Sequence, residues 1–152
     1  MTGKTLGLIG MGRIGKHVLN MCKDGLDMHV IVYDPYISEV PEGVEKVDDL
    51  SELLRRADIV TLHCLLTDET RKLIDRERLA LMKPTALLIN CARGPIVDAA
   101  ALIEALENGR LAGAGLDVTD PEPVAPDSPL FKLPNVIVTP HYAPTTVESA
   151  TR

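Results

Sequence analysis

Gly10-Met11-Gly12-Arg13-Ile14-Gly15 follows directly on the apolar run Leu6 to Ile9, and the residues after it carry apolar side chains at helical spacing. Few folds pass from strand to helix through such a turn. The first glycine allows a tight turn, the second leaves the backbone open to a pyrophosphate, and the third lets helix and strand pack closely. Helix amides then face the anion. The spacing predicts a dinucleotide-phosphate cradle beginning at residue 10, with nothing large before it.

Short apolar runs recur behind this unit. Lys4 to Ile9, Met28 to Tyr33, Ile59 to His63, Thr85 to Asn90, Leu111 to Val118 and Val136 to Thr139 read as six strands, near-continuous in Val, Ile and Leu. Such runs belong to strands covered on both faces, hence to a parallel sheet. Helical patterns alternate with them. Arg13 to Lys23 carries Ile14, Val18, Leu19 and Cys22 on one face and stops at Gly25; Asp48 to Arg56 is shorter; Asp98 caps Ala99 to Glu107, which ends at Gly109. The pattern predicts an α/β fold, a doubly wound, six-stranded parallel sheet of Rossmann type with right-handed crossovers. Asp120 to Leu133 holds Pro121, Pro123, Pro126 and Pro129 and is expected to be a loop. Thr145-Thr146-Val147-Glu148 spells a capping box, so a helix is expected to start there with too few residues to finish it. The chain then reads as cut inside an element.

A chain of 152 residues suits one domain, taken here as 1–152. Its net charge of -6 argues against nucleic acid or an anionic membrane as the main partner. Cys22, Cys64 and Cys91 form neither a disulfide framework nor a C-x-x-C pair, so no metal site and a reducing, cytoplasmic setting are expected. Neither a leader nor an apolar run long enough to span a bilayer is visible.

Asp34, in Tyr33-Asp34-Pro35-Tyr36, stands nineteen residues past Gly15. An acid there accepts bonds from both adenosine-ribose hydroxyls and repels a 2′-phosphate. No Arg or Lys follows closely, so NAD is expected over NADP. Three further islands end strands on the edge where open α/β sheets bind ligands. They are Asn90-Cys91-Ala92-Arg93-Gly94, then Leu116-Asp117-Val118 with Glu122-Pro123, then Thr139-Pro140-His141.

Together with Leu62-His63, Thr67, Thr70 and Val97-Asp98, these islands resemble the coenzyme-binding domain of the D-isomer-specific 2-hydroxyacid dehydrogenases, the group containing phosphoglycerate dehydrogenase. The resemblance covers essentially the whole chain. It implies that Arg93 binds the substrate's carboxylate and carbonyl, that His141 gives and takes the proton, and that Glu122 pairs with that histidine. It further implies that Gly10, Gly12, Arg13, Ile14 and Gly15 lie along the pyrophosphate, with Asp34 on the ribose. Cys64, Cys91, Ala92 and Arg93 would face the cofactor, largely through backbone, and Asp117 and His141 would meet its nicotinamide end.

The chemistry is coherent in its own terms. Hydride transfer at C2 of a 2-oxo acid leaves an alkoxide that needs a proton, and imidazole titrates near working pH. A planar guanidinium grips a carboxylate by two parallel bonds. Taken singly, Arg93 reads as a solvated cation, Glu122 as a loop charge and His141 as a polar neighbour of Pro140. His63 reads as a structural strand-end residue, His17 as helix surface, His29 as a strand start and Cys22 as core. Leu65 departs from the family's usual proline, which implies a looser loop over the cofactor. Tyr142, Pro144 and Thr145 replace commoner small residues after the histidine.

The expected function is NAD-dependent interconversion of a D-2-hydroxy acid and its 2-oxo acid, with turnover weak without the family's substrate domain, which this chain lacks. The alternative is a non-enzymatic NAD(H)-responsive interaction module, like the C-terminal-binding co-repressors. The resemblance also implies a homodimer.

Overall fold

The computed structural model describes residues 1–142 and 145. Seven strands form one sheet: β1 (Thr5–Ile9), β2 (His29–Tyr33), β3 (Val44–Lys46), β4 (Ile59–Leu62), β5 (Leu87–Asn90), β6 (Gly113–Leu116) and β7 (Val136–Val138). Their order is β3-β2-β1-β4-β5-β6-β7, and every neighbouring pair is parallel. The chain therefore builds outward from β1 in one direction, returns, and builds outward in the other. The seventh strand corrects the expected count of six. β3 escaped notice because Val-Glu-Lys is short and polar and lies at the sheet edge.

Four α-helices connect the strands: α1 (Arg13–Asn20), α2 (Leu50–Arg56), α3 (Arg76–Leu81) and α4 (Ala99–Glu107). α1 winds on as one wide π turn over Met21–Gly25, so the periodic stretch to Lys23 is helical but not uniformly α. Asp49 caps α2 through a bond from the Ser51 amide, Asp75 caps α3 through Arg78, and Asp98 caps α4 through Ala101. Gly109 follows α4 with φ of 64°, the left-handed stop its sequence predicted. Inside the proline-rich segment a short 3-10 helix, Pro129–Lys132, buries Leu130, so that segment is not loop throughout. The capping box at 145–148 lies outside the described residues apart from Thr145 itself.

Strand periodicity divides the core in two. Leu6 and Leu8 of β1, with Val30 and Val32 of β2, join Leu19 and Met28 under α1, while Ile9 and Ile31 turn the other way to meet Leu53, Leu54 and Val60. Leu102 and Leu106 of α4 and Leu79 of α3 extend this second, larger core over Leu88 and Leu116. Gly7 is the close-packing point, since a Cβ there would lie 2.5 Å from Leu53 Cδ2. Covering on both faces holds for β1 and β2 but not across the sheet. Among the described residues, α2, α3 and α4 all pack into the larger core, and Ile137 on the opposite face of β7 is 70% exposed.

Candidate functional site

The register gathers the site. Tyr33, Ile9, Leu62, Asn90, Leu116 and Val138 pair one to the next in a single row across β2, β1, β4, β5, β6 and β7. The residue after each is Asp34, Gly10, His63, Cys91, Asp117 and Thr139. These six residues are thereby delivered to one edge, with Arg93, Glu122 and His141 in the loops that follow.

At the seam between β1 and β4, where the winding direction reverses, the glycine turn opens. Gly10 has φ of 89°, and a Cβ on it would stand 2.6 Å from the Cys64 amide nitrogen. A Cβ on Gly15 would come within 2.3 Å of the Gly10 carbonyl oxygen, yet one on Gly12 would meet nothing within 4 Å. Two glycines thus serve packing and one leaves open approach to the first amides of α1, as a pyrophosphate requires. Arg13 and Ile14 are exposed beside it.

A cleft of about 440 Å³ runs from this turn, with Asp34, Tyr36, Cys64, Glu69 and Thr70 among its walls. Asp34 Oδ2 accepts from the Met11 amide at 2.8 Å and Oδ1 from the Tyr36 amide at 2.9 Å. A carboxylate has about four acceptor positions, so ribose hydroxyls can still be bound while the acid fastens β2 to the glycine turn. None of the described residues lining the cleft is Lys or Arg. An open phosphate turn, an aligned acid and a cation-free wall fit NAD.

Two hydrogen bonds of Thr70 tie the loop after β4. Thr70 Oγ1 donates to the Leu65 carbonyl at 2.6 Å and accepts from the Thr67 amide at 2.7 Å. Burial pushes the thiols of Cys64 and Cys91 up, which disfavours thiolate chemistry. Burial pushes the His63 imidazole down, and its Nε2 lies 2.9 Å from Thr61 Oγ1, in keeping with a structural role. His17 and His29 are exposed, and Cys22 packs partly buried against the smaller core. Among the described residues no group of three His, Cys, Asp or Glu side chains could hold a metal ion, and no helix is long and apolar enough to cross a membrane.

The second half of the edge carries the polar cluster. His141 Nδ1 lies 2.5 Å from Glu122 Oε1. His141 adopts φ of 54°, a left-handed backbone held by its amide donating to the Asp117 carbonyl at 2.9 Å. The Asp117 carboxylate is buried, and its Oδ1 accepts from Thr139 Oγ1 at 2.5 Å and from the Tyr142 amide at 2.8 Å. Asp117 thus holds the turn on both sides of the histidine. Asn90, also buried, accepts from the Ala92 amide at 3.1 Å and donates to the Arg93 carbonyl at 3.0 Å, shaping the loop that presents Arg93.

Arg93 is exposed, and its Nη1 donates to the Ala92 carbonyl at 2.6 Å rather than to Glu122 or His141. The structure therefore joins Glu122 with His141 and leaves Arg93 on the same edge without a direct bond to them. Sequence reasoning missed the structural parts of Glu69, Asn90 and Thr139. Only Asn90 left a usable signal, as a polar residue closing a buried strand.

Known proteins fit this geometry. The family model described as D-isomer specific 2-hydroxyacid dehydrogenase, NAD binding domain, matches residues 1–143. D-3-phosphoglycerate dehydrogenase of Methanocaldococcus jannaschii is 53% identical over 150 residues, which are 97% of this chain and 28% of the relative. Glyoxylate reductase of Korarchaeum cryptofilum is 48% identical over 153 residues, 99% of this chain and 46% of the relative. Among solved structures, the NAD-complexed D-isomer specific 2-hydroxyacid dehydrogenase of Lactobacillus delbrueckii ssp. bulgaricus superimposes with a TM-score of 0.86 at 40% identity. That match covers 96% of this chain and 48% of the other. The chain spans less than half the length of each of these relatives. By its glycine turn, its strand order and these matches, the chain belongs to the D-isomer specific 2-hydroxyacid dehydrogenase family, as its NAD-binding domain.

Proposed function

We propose that the chain is the cofactor half of a dehydrogenase interconverting D-2-hydroxy acids and 2-oxo acids, with its substrate-binding region supplied from outside residues 1–152. The observation that carries this reading is the Glu122–His141 pair, set at 2.5 Å on the edge that also holds the glycine turn. NAD supplies the hydride chemistry when bound. Gly10, Gly12, Gly15, Arg13 and Ile14 would seat its phosphates, Asp34 its ribose, and the loop segments at Cys64 and Cys91 to Arg93 its remaining length. Asp117 would face its nicotinamide end.

Arg93 grips the substrate carboxylate and polarises the C2 carbonyl. His141 gives a proton from Nε2 to the C2 oxygen as hydride arrives at C2, and takes it back in the oxidation direction. With Nδ1 engaged by Glu122, Nε2 is the nitrogen left to exchange a proton with substrate. We further propose a cytoplasmic, homodimeric enzyme acting on small 2-hydroxy or 2-oxo acids, without nucleic acid or membrane partners. The interaction-module alternative gains no support from these relatives, which are named as enzymes.

Three experiments test the reading. NADH titration of the 152-residue chain by fluorescence or calorimetry is expected to give micromolar or weaker binding; no response at millimolar NADH rejects the cradle. The chain alone is expected to turn over 2-oxo acids poorly, because an open site neither excludes water nor orients substrate. Grafted in place of the matching segment of the Methanocaldococcus relative, it should restore turnover, and His141→Ala should abolish that turnover while sparing NADH binding. Unchanged turnover in the variant refutes the proton-transfer role.

A further inference from the structure

Asp34 is not the only carboxylate on the wall of the cofactor cleft. Glu69, from the loop after β4, stands on the opposite lip and accepts a bond at 3.0 Å from the hydroxyl of Tyr36, which belongs to the segment after β2. The pair bridges the mouth of the cleft from one half of the sheet to the other. Both acids are hydrogen-bonded, Asp34 to the backbone and Glu69, itself exposed, to the exposed Tyr36. Asp34 is pinned by two backbone amides, and Glu69 by Tyr36 within a loop that Thr67 and Thr70 tie down. The Tyr36 hydroxyl is pushed up first by its bond to Glu69, then by that carboxylate's charge and by desolvation, and after these by the charge of Asp34. No Lys or Arg among the described lining residues offsets them.

We propose that Glu69 shares with Asp34 the discrimination against NADP, as a second carboxylate on a separate loop that repels the 2′-phosphate at the mouth of the cleft. The inference rests on the NAD reading of this cleft. A 2′-phosphate carries close to two negative charges and would enter a wall that already holds two carboxylates. Neutralising Asp34 alone leaves one of them in place. Glu69 acts across the mouth rather than by direct contact, so its share of the repulsion is screened as the Debye length shortens.

The test uses the 152-residue chain and reads binding alone. NADH and NADPH affinities are measured for the wild type, Glu69→Gln, Asp34→Asn and the double variant, at low and at high salt. Glutamine keeps an acceptor for Tyr36 and removes the charge. Glu69→Gln is expected to tighten NADPH about 3- to 10-fold with NADH changed less than about twofold, an effect that shrinks in high salt. The double variant is expected to bind NADPH more tightly than Asp34→Asn alone. An unchanged NADPH-to-NADH ratio in Glu69→Gln, or a gain insensitive to salt, overturns the role of Glu69. Loss of all nucleotide binding by the wild type overturns the NAD reading itself, a result distinct from normal NADH binding with unaltered preference.

Discussion

His141 Nδ1 and Glu122 Oε1 meet at 2.5 Å although they stand nineteen positions apart, with most of the proline-rich segment between them. The ring is aimed from two directions, by this carboxylate and by the left-handed backbone that Asp117 holds. Glu122→Gln in the grafted enzyme should lower kcat about 10- to 100-fold with KM and NADH affinity little changed, since acid–base positioning is felt in the transition state. Steady-state kinetics checks it; a loss confined to KM would contradict the assignment.

Thr139→Val removes the hydroxyl that donates to Asp117 Oδ1. With a buried carboxylate short of one partner, the chain should lose about 1 to 3 kcal/mol. Thr139→Ser should recover most of it, and urea unfolding of the three proteins gives the comparison.

The three glycines of the turn should separate by substitution. Gly15→Ala drives a methyl against the Gly10 carbonyl and should cost about 1 to 3 kcal/mol or prevent folding. Gly12→Ala meets open space, so thermal stability should hold while NADH affinity falls at least about tenfold. Thermal melts paired with NADH titration decide it, and equal destabilisation by both would contradict the packing account.

Asp58 makes stability depend on acid pH. The Thr5 amide and then the Lys83 ammonium hold its carboxyl below the usual range. A depressed folded value means that the unfolded chain takes up the proton first, so this stabilisation is present above the ordinary carboxylate range and is lost as pH falls through the folded value. Asp58→Asn should cost about 1 to 2 kcal/mol at pH 7 and nothing at the acid end, as urea unfolding across pH would show.

Ile137 is 70% exposed on the face of β7 turned away from the larger core. Ile137→Lys should therefore leave the melting temperature within about 2 °C, because little apolar contact is lost. Calorimetry checks it, and a drop of several degrees would mean that the face is covered.

Sequence and structure agree best where local signals and packing coincide. Gly10 to Gly15, the Asp98 cap and the buried runs of β1 and β2 each announce their geometry within a few residues. β3 and α3 do not. Val44–Lys46 owes its strand to pairing with β2, and Arg76–Leu81 is a six-residue helix with Leu79 as its one buried side chain, so neither has a periodicity to read. In the candidate site, Asp34 carried its own signal, an acid closing an apolar run at a set distance from the glycine turn, whereas the pairing of Glu122 with His141 was implied only by the family resemblance. The bridge from Tyr36 to Glu69 was not legible, since it joins two loops 33 residues apart and leaves no spacing rule behind.

The row from Tyr33 to Val138 also makes the sheet a ruler. Neighbouring strands lie about 4.8 Å apart, so six of them set their terminal residues along a line of roughly 24 Å. A substitution alters one mark on that line. A single-residue deletion inside a strand does more, because it draws the following residue back by about 3.3 Å and turns every side chain before it to the other face. The edge that gathers the candidate site is thus insensitive to length changes in the loops at the opposite end of the sheet, and sensitive to a shift of one residue in the strands themselves.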